Sequence, residues 1–254
     1  MLANVANAMI ARQVDGIVLT VLHPDDGEVI RGLRRARVPF IQVMRRIPEL
    51  RADYIGIDDR AAAGEILRHV VGHGYTDLAV VTGPRSSSCS ATRADSFAAT
   101  ARQLGVPLPA HRRFYAYLTA EGGNRVADQL IAEGDVPQAI VCGADAIASG
   151  VIGTLRVHGL RVPGDVAVTG IDGVFSATSM LGELTTIVVP RHRMASVAVE
   201  QLIRRINGTG GPPRDFIQPY RLRIGTSCGC RRTPHVRPVL QRTATGSTEG
   251  EIHD

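Results

Sequence analysis

Short runs of aliphatic and β-branched residues alternate along this chain with longer stretches in which apolar positions recur every three or four residues. That alternation predicts strands joined by amphipathic helices. The strand-like runs are GIVLTV (16–21), FIQVM (40–44), YIGID (54–58), LAVVTG (78–83), FYAYL (114–118), AIVCG (139–143), VAVTGID (166–172) and TTIVVP (185–190). Between the third and fourth, Ala62, Ile66, Leu67 and Val70 fall on one helical face while Arg60, Glu65 and Arg68 point away. Gly72-His73-Gly74, Gly105-Val106-Pro107, Gly159 and Pro163-Gly164 supply helix stops ahead of strands. The result is a doubly wound α/β architecture. In FYAYL the period of two sets Phe114, Ala116 and Leu118 on one face and Tyr115 and Tyr117 on the other. After Cys230 the periodicity ends, and 231–254 reads as a disordered tail.

Composition narrows the class. With 254 residues the chain has room for two lobes, and no apolar run approaches the length of a membrane span. The apolar N-terminal residues lack a basic region and a cleavage site, which predicts a cytoplasmic protein. All 29 basic residues are arginine. Arg31, Arg34, Arg35 and Arg37 sit at helical spacing and read as a solvated face, since interleaved aromatics and a recognition motif are missing. The net charge of +5 therefore does not indicate nucleic-acid binding. The four cysteines, at 89, 142, 228 and 230, lack the paired spacing of a zinc site or a disulfide framework. They read as small buried or strand-end residues, with a metal site using His235 as the alternative, so no metal and no cofactor are expected. Neither a nucleophile–base arrangement nor a phosphate-cradling glycine loop is recognisable, which argues against an enzyme.

Several strand junctions, taken in order, resemble the effector-binding core of the LacI/GalR family of bacterial transcription regulators over about residues 3–230. They are Val14-Asp15-Gly16-Ile17-Val18-Leu19, Val38-Pro39-Phe40, Ile57-Asp58-Asp59, Val81-Thr82-Gly83-Pro84 and Arg93-Ala94-Asp95-Ser96-Phe97. Further along come 139–148, Val162-Pro163-Gly164-Asp165 with the strand to Asp172, Leu184-Thr185-Thr186-Ile187 and a close at 223–230. The resemblance implies two Rossmann-like lobes of the periplasmic-binding-protein-like type I fold, joined by three crossovers, with the first lobe incomplete. It assigns 1–84 and 189–215 to the N-terminal lobe and 85–188 and 216–230 to the C-terminal lobe. It also implies a homodimer that senses a small molecule, a sugar for most members. Operator DNA would be met only through a helix-turn-helix headpiece, which with the lobe's opening strand–helix–strand unit would precede residue 1. A solute-binding protein of a sugar transporter is the alternative.

Ligands of such sheets lie beyond the carboxyl ends of the strands. By resemblance Arg93 is a ligand contact, its guanidinium offering a fork of donors; the other reading is a surface arginine. Asp172 ends a strand and offers an acceptor, with a helix cap or loop salt bridge as the alternative. Asp145 ends another, although the family's preceding asparagine is Ala144 here. Ser87 and Cys89 lie in the serine-rich loop, where helix capping is the competing role. Leu118 stands where the family often stacks an aromatic ring on its ligand, and Tyr117 is a substitute if it does not simply pack in the core. His23, Thr20 and Asp58 complete the candidates.

Overall fold

The computed structural model describes residues 2–21, 24–47, 49–174 and 184–230, and a strand at Val236–Pro238. The strand-like runs assemble into two sheets. The first contains β1 (Ile17–Leu19), β2 (Phe40–Val43), β3 (Tyr54–Gly56) and β9 (Asp215–Ile217), in the order β1-β2-β3-β9 and parallel throughout. The second contains β4 (Leu78–Thr82), β5 (Arg113–Tyr115), β6 (Ala139–Cys142), β7 (Ala167–Asp172), β8 (Thr185–Val188), β10 (Arg221–Arg223) and β11 (Val236–Pro238). Its order is β11-β10-β8-β7-β6-β4-β5, with β10 antiparallel to both β8 and β11. The pairing at Val236–Pro238 departs from the disordered tail expected there; the remainder of 231–254 lies outside the described residues.

Helices cover both faces of each sheet, as parallel strands buried on both sides require. On the first sheet, α1 (Leu2–Ala11) and α2 (Gly27–Arg35) enclose Ala6, Ile17, Leu19, Val29, Ile30 and Leu33. The arginines of α2 point outward, and Arg31 pairs with Glu28, so the solvated-face reading holds for this helix. On its other face α7 (Arg191–Ile206) lies against β1, β2 and β3. On the second sheet, α3 (Asp59–Val71) and α4 (Ser88–Gln103) bury Ala62, Ile66, Leu67, Val70, Phe97 and Ala101 against Leu78, Val80 and Val141. The opposite face carries α5 (Ala120–Ala132) and α6 (Asp145–Val157), packed through Ala127, Leu130, Ile147 and Val151.

The chain passes between the lobes three times: after β3, after β8, and between β9 and β10. Two boundaries therefore move. Because β4 pairs with β5 and β6, and α3 packs on α4, the first passage lies near residue 57 rather than 84. Because β9 extends β3, the first lobe reaches 217 rather than 215.

Close backbone contact between α5 and α6 depends on glycine. A Cβ at Gly150 would lie 1.8 Å from the Ala120 carbonyl oxygen, and one at Gly123 2.1 Å from that of Ile147. Gly150→Ala is expected to lower the free energy of urea unfolding by about 1–3 kcal/mol, because two helix backbones must separate. Gly153→Ala on the same helix, where an added Cβ meets nothing within 4 Å, is expected to be neutral or stabilising by up to about 1 kcal/mol. Equal losses at both positions would refute the close-packing account. In the first sheet β1 pairs with β2 alone among the described residues, and Val18 is exposed. Amide exchange is accordingly expected to be faster in β1 and β2 than in β4, β6 and β7. Uniform protection would show that this edge is covered.

Candidate functional site

The two lobes meet at a seam where the Arg46 backbone of the first bonds Ser88 of the second, and Arg93 lies five residues further along the helix that Ser88 begins. Its helix explains its burial. Along α4 the positions turned inward are Cys89, Ser90, Arg93, Ala94, Ser96, Phe97, Thr100 and Ala101, a stripe of helical period that carries Arg93 with it. The Arg93 side chain is only 6% exposed. Nε donates to Asp59 Oδ1 at 2.7 Å, and Nη1 donates to the Gly143 carbonyl at 2.6 Å. Asp172 Oδ1 stands 3.8 Å from Nη1, an ion pair beyond hydrogen-bonding length. One cation thus gathers the start of α3, the end of β6 and the end of β7.

Burial dominates the electrostatics. It pushes Asp172 up to about 6, with Arg93 pulling the other way and Asp145 adding repulsion. Burial likewise raises Asp59 against the attraction of Arg93. Burial also opposes the charge on Arg93, but Asp59 and Asp172 outweigh it and its pKa rises. Asp172 further adopts φ 133°, a region that costs an L-residue roughly 1–3 kcal/mol. Its carbonyl accepts from Val189 N at 3.2 Å, which fixes the strand end in this conformation.

The first lobe meets this centre through Tyr54 and Arg46. Tyr54 is buried, its hydroxyl donates to the Met44 carbonyl at 3.1 Å, and its pKa is raised by burial and by Asp59. The Arg46 guanidinium lies 4.5 Å from the centre of the Tyr54 ring and pairs with Asp215 at 2.6 Å. The Arg46 backbone N–H donates to Ser88 Oγ at 3.0 Å, a hydrogen bond directly between the lobes.

The remaining candidates separate into distinct places. Asp145 is fully buried behind the seam; Oδ1 accepts from Thr186 Oγ1 at 2.6 Å and Oδ2 from Val174 N at 2.8 Å, so its carboxylate is occupied internally. Ser87 and Cys89 are buried with Oγ and Sγ 3.4 Å apart, and Ser87 stands at the N-cap of α4 without a side-chain capping bond. Leu118 faces the second core as the alternation requires and packs near Gly83 and Ser90, while Tyr117 points away and is 72% exposed. Asp58 caps α3 by accepting from Ala61 N at 2.8 Å. Thr20 Oγ1 is bonded to the Val43 carbonyl, and His23 lies outside the described residues. Arg46 and Tyr54 were missed, and so was Asp59. Its signal was present, since a second acid follows the capping aspartate at the point where the strand becomes a helix.

The sequence pattern of the periplasmic binding protein-like domain matches residues 67–228. The HTH-type transcriptional regulator MalR of Streptomyces coelicolor is 32% identical over 217 residues, covering 82% of this chain and 62% of that protein. The ribose operon repressor of Escherichia coli K12 is 30% identical over 202 residues, covering 78% of this chain and 60% of the repressor. The chain thus spans under two thirds of these relatives. A solved complex of the transcriptional regulator CelR with cellobiose superposes with a TM-score of 0.83 at 23% identity, covering 89% of this chain and 69% of that one. At that identity the superposition speaks for the fold. No helix among the described residues is long and apolar enough to cross a membrane.

The buried ion centre has a measurable signature. Arg93→Ala leaves Asp59 and Asp172 without their cation and is expected to cost about 3–5 kcal/mol at pH 7.5. The loss should shrink as pH falls toward about 6 and level off below it, where Asp172 of the parent is itself protonated and needs no counter-charge. Denaturant unfolding at pH 5 and 7.5 measures both; a loss that is small or independent of pH would show that Arg93 does not neutralise these carboxylates.

Proposed function

Since the chain belongs to the family of periplasmic binding protein-like domains of LacI-type regulators, we propose that it is the effector-sensing core of a transcriptional regulator and that its effector is a sugar. The observation that carries this reading is the pairing of Arg93 on α4 with Asp172 at the end of β7, separated by 3.8 Å. A sugar hydroxyl both accepts and donates, so it can take a hydrogen bond from the guanidinium while giving one to the carboxylate. The ribose operon in the name of the Escherichia coli repressor and the cellobiose held by CelR support a carbohydrate. Lobe closure on the effector would then be read out by a homodimer in the cytoplasm, through a headpiece on operator DNA. The transporter alternative is less supported, because the relatives are regulators.

The test is a thermal-shift screen of mono- and disaccharides, followed by calorimetry on the best hit. Truncating the Asp172 carboxylate with Asp172→Ala is expected to weaken binding by about ten- to a hundredfold. The pH dependence follows from the raised pKa. The effector-free carboxyl binds a proton below about pH 6, and that proton must leave before a hydroxyl can donate to the carboxylate. Affinity should therefore be constant above about pH 7 and fall as pH drops through 6, by up to about tenfold per unit. Asp172→Asn should remove that slope. A sugar that binds Asp172→Ala like the parent, or no shift with any sugar, would overturn the proposal.

A further inference from the structure

At the far end of α3 from Asp59, side chains from two distant parts of the chain meet. His69 lies in the last turn of α3, and His73 lies one turn on, where Gly72, His73 and Gly74 continue hydrogen bonding back to Arg68, Val70 and Val71. Opposite them the segment after β10 presents Cys228 and Cys230. Gly229 between the cysteines has φ +95°, and a Cβ there would meet Tyr75 Oη at 2.8 Å, so this glycine allows the chain to fold back over Tyr75. His69 Nε2 lies 3.2 Å from Cys228 Sγ, 3.4 Å from His73 Nε2 and 3.8 Å from Cys230 Sγ. His73 Nε2 lies 3.2 Å from Cys230 Sγ, and all four donor atoms fall within 4.8 Å of one another.

We propose that His69, His73, Cys228 and Cys230 form a structural zinc site that fastens the segment after β10 to the C-terminal end of α3. A tetrahedral Zn2+ with Zn–S of about 2.3 Å and Zn–N of about 2.0–2.1 Å sets donor–donor separations of about 3.3–3.8 Å, close to the contacts found here. Two neutral imidazoles and two thiolates also balance the divalent charge, which suits a partly buried position. The scaffold is fixed independently of these four side chains. Ser227 Oγ donates to the Val168 carbonyl at 2.6 Å and accepts from Thr185 N at 2.9 Å, and Tyr75 Oη donates to the Cys228 carbonyl at 3.3 Å. Thr185 Oγ1, 3.0 Å from Cys228 Sγ, is placed to donate to a bound thiolate. Ten residues of α3 separate Asp59 from His69, about 15 Å at helical rise, so the site is distinct from the seam around Arg93.

The test uses the untagged, fully reduced 254-residue chain, titrated first with Co2+ and then with Zn2+. One equivalent of Co2+ is expected to give the visible bands of tetrahedral cobalt with a thiolate charge-transfer band, and Zn2+ should displace it. Cys230→Ser and His73→Ala, at less buried positions than Cys228, are expected to keep the parent's circular dichroism while weakening Zn2+ by at least about a hundredfold. His111→Ala is the control and should bind like the parent. Should either variant misfold, the parent's own cobalt spectrum decides. Absence of the charge-transfer band in the reduced parent, or stoichiometric tetrahedral binding that survives both substitutions, overturns the assignment.

Discussion

The molecule is organised around a buried guanidinium. An arginine inside a protein is tolerable only when facing charges and carbonyls replace its water, and Arg93 finds those partners at three separate ends: Asp59 where α3 begins, Gly143 where β6 stops and Asp172 where β7 stops. Asp59 also lies in the first turn of α3, where the helix dipole favours a negative charge. The strand ends of the second sheet are therefore held in register by electrostatics as well as by their ladder. The arrangement remains under tension, because burial raises the pKa of both carboxyl groups against the pull of Arg93.

That tension suits a site that exchanges one set of partners for another. Asp59 and Gly143 hold Arg93 at 2.7 and 2.6 Å, whereas Asp172 lies at 3.8 Å on a strained backbone. The tight contacts fix the guanidinium, and the longer one leaves Asp172 without a direct hydrogen bond to it. The first lobe is joined directly above the centre by the Arg46–Ser88 hydrogen bond, and Arg46 also reaches the ring of Tyr54. Arg93, the cation beside Asp172, thus lies five residues along α4 from a hydrogen bond between the lobes.

Much of this was legible beforehand. All eight strand-like runs contain strands, although β5 takes in only Phe114 and Tyr115 of the aromatic run FYAYL, and the ordered junctions pointed to the correct fold family. β9 and β10 escaped notice since Asp-Phe-Ile and Arg-Leu-Arg are three residues long and half polar; their strand character comes from pairing with β3 and β8. The lobe boundary was misplaced for a related reason. A strand's pattern shows that it is buried but not which sheet it joins. Residue choice within the seam had the same limit: Asp58 and Asp59 are chemically alike, and only the start of α3 decides that the first caps and the second reaches Arg93.

The histidine–cysteine cluster shows where one-dimensional reading stops. His69 and His73 had the spacing of two ligands on one helical face, and Cys228 and Cys230 that of two on one turn, yet each pair alone is half a site. The halves are more than 150 residues apart, and it is the antiparallel return of β10 beside β8 that brings them together. Because α3 begins at Asp59 and ends beside His69, one rigid helix connects the charge centre to the cluster. Ordering the cluster would hold the C-terminal end of α3, and with it the attachment of the segment after β10. The N-terminal end would remain governed by the balance among Asp59, Arg93 and Asp172. The two ends of this helix thus carry different chemistry: its C-terminal end presents His69 to Cys228, and its N-terminal end holds Asp59 against Arg93.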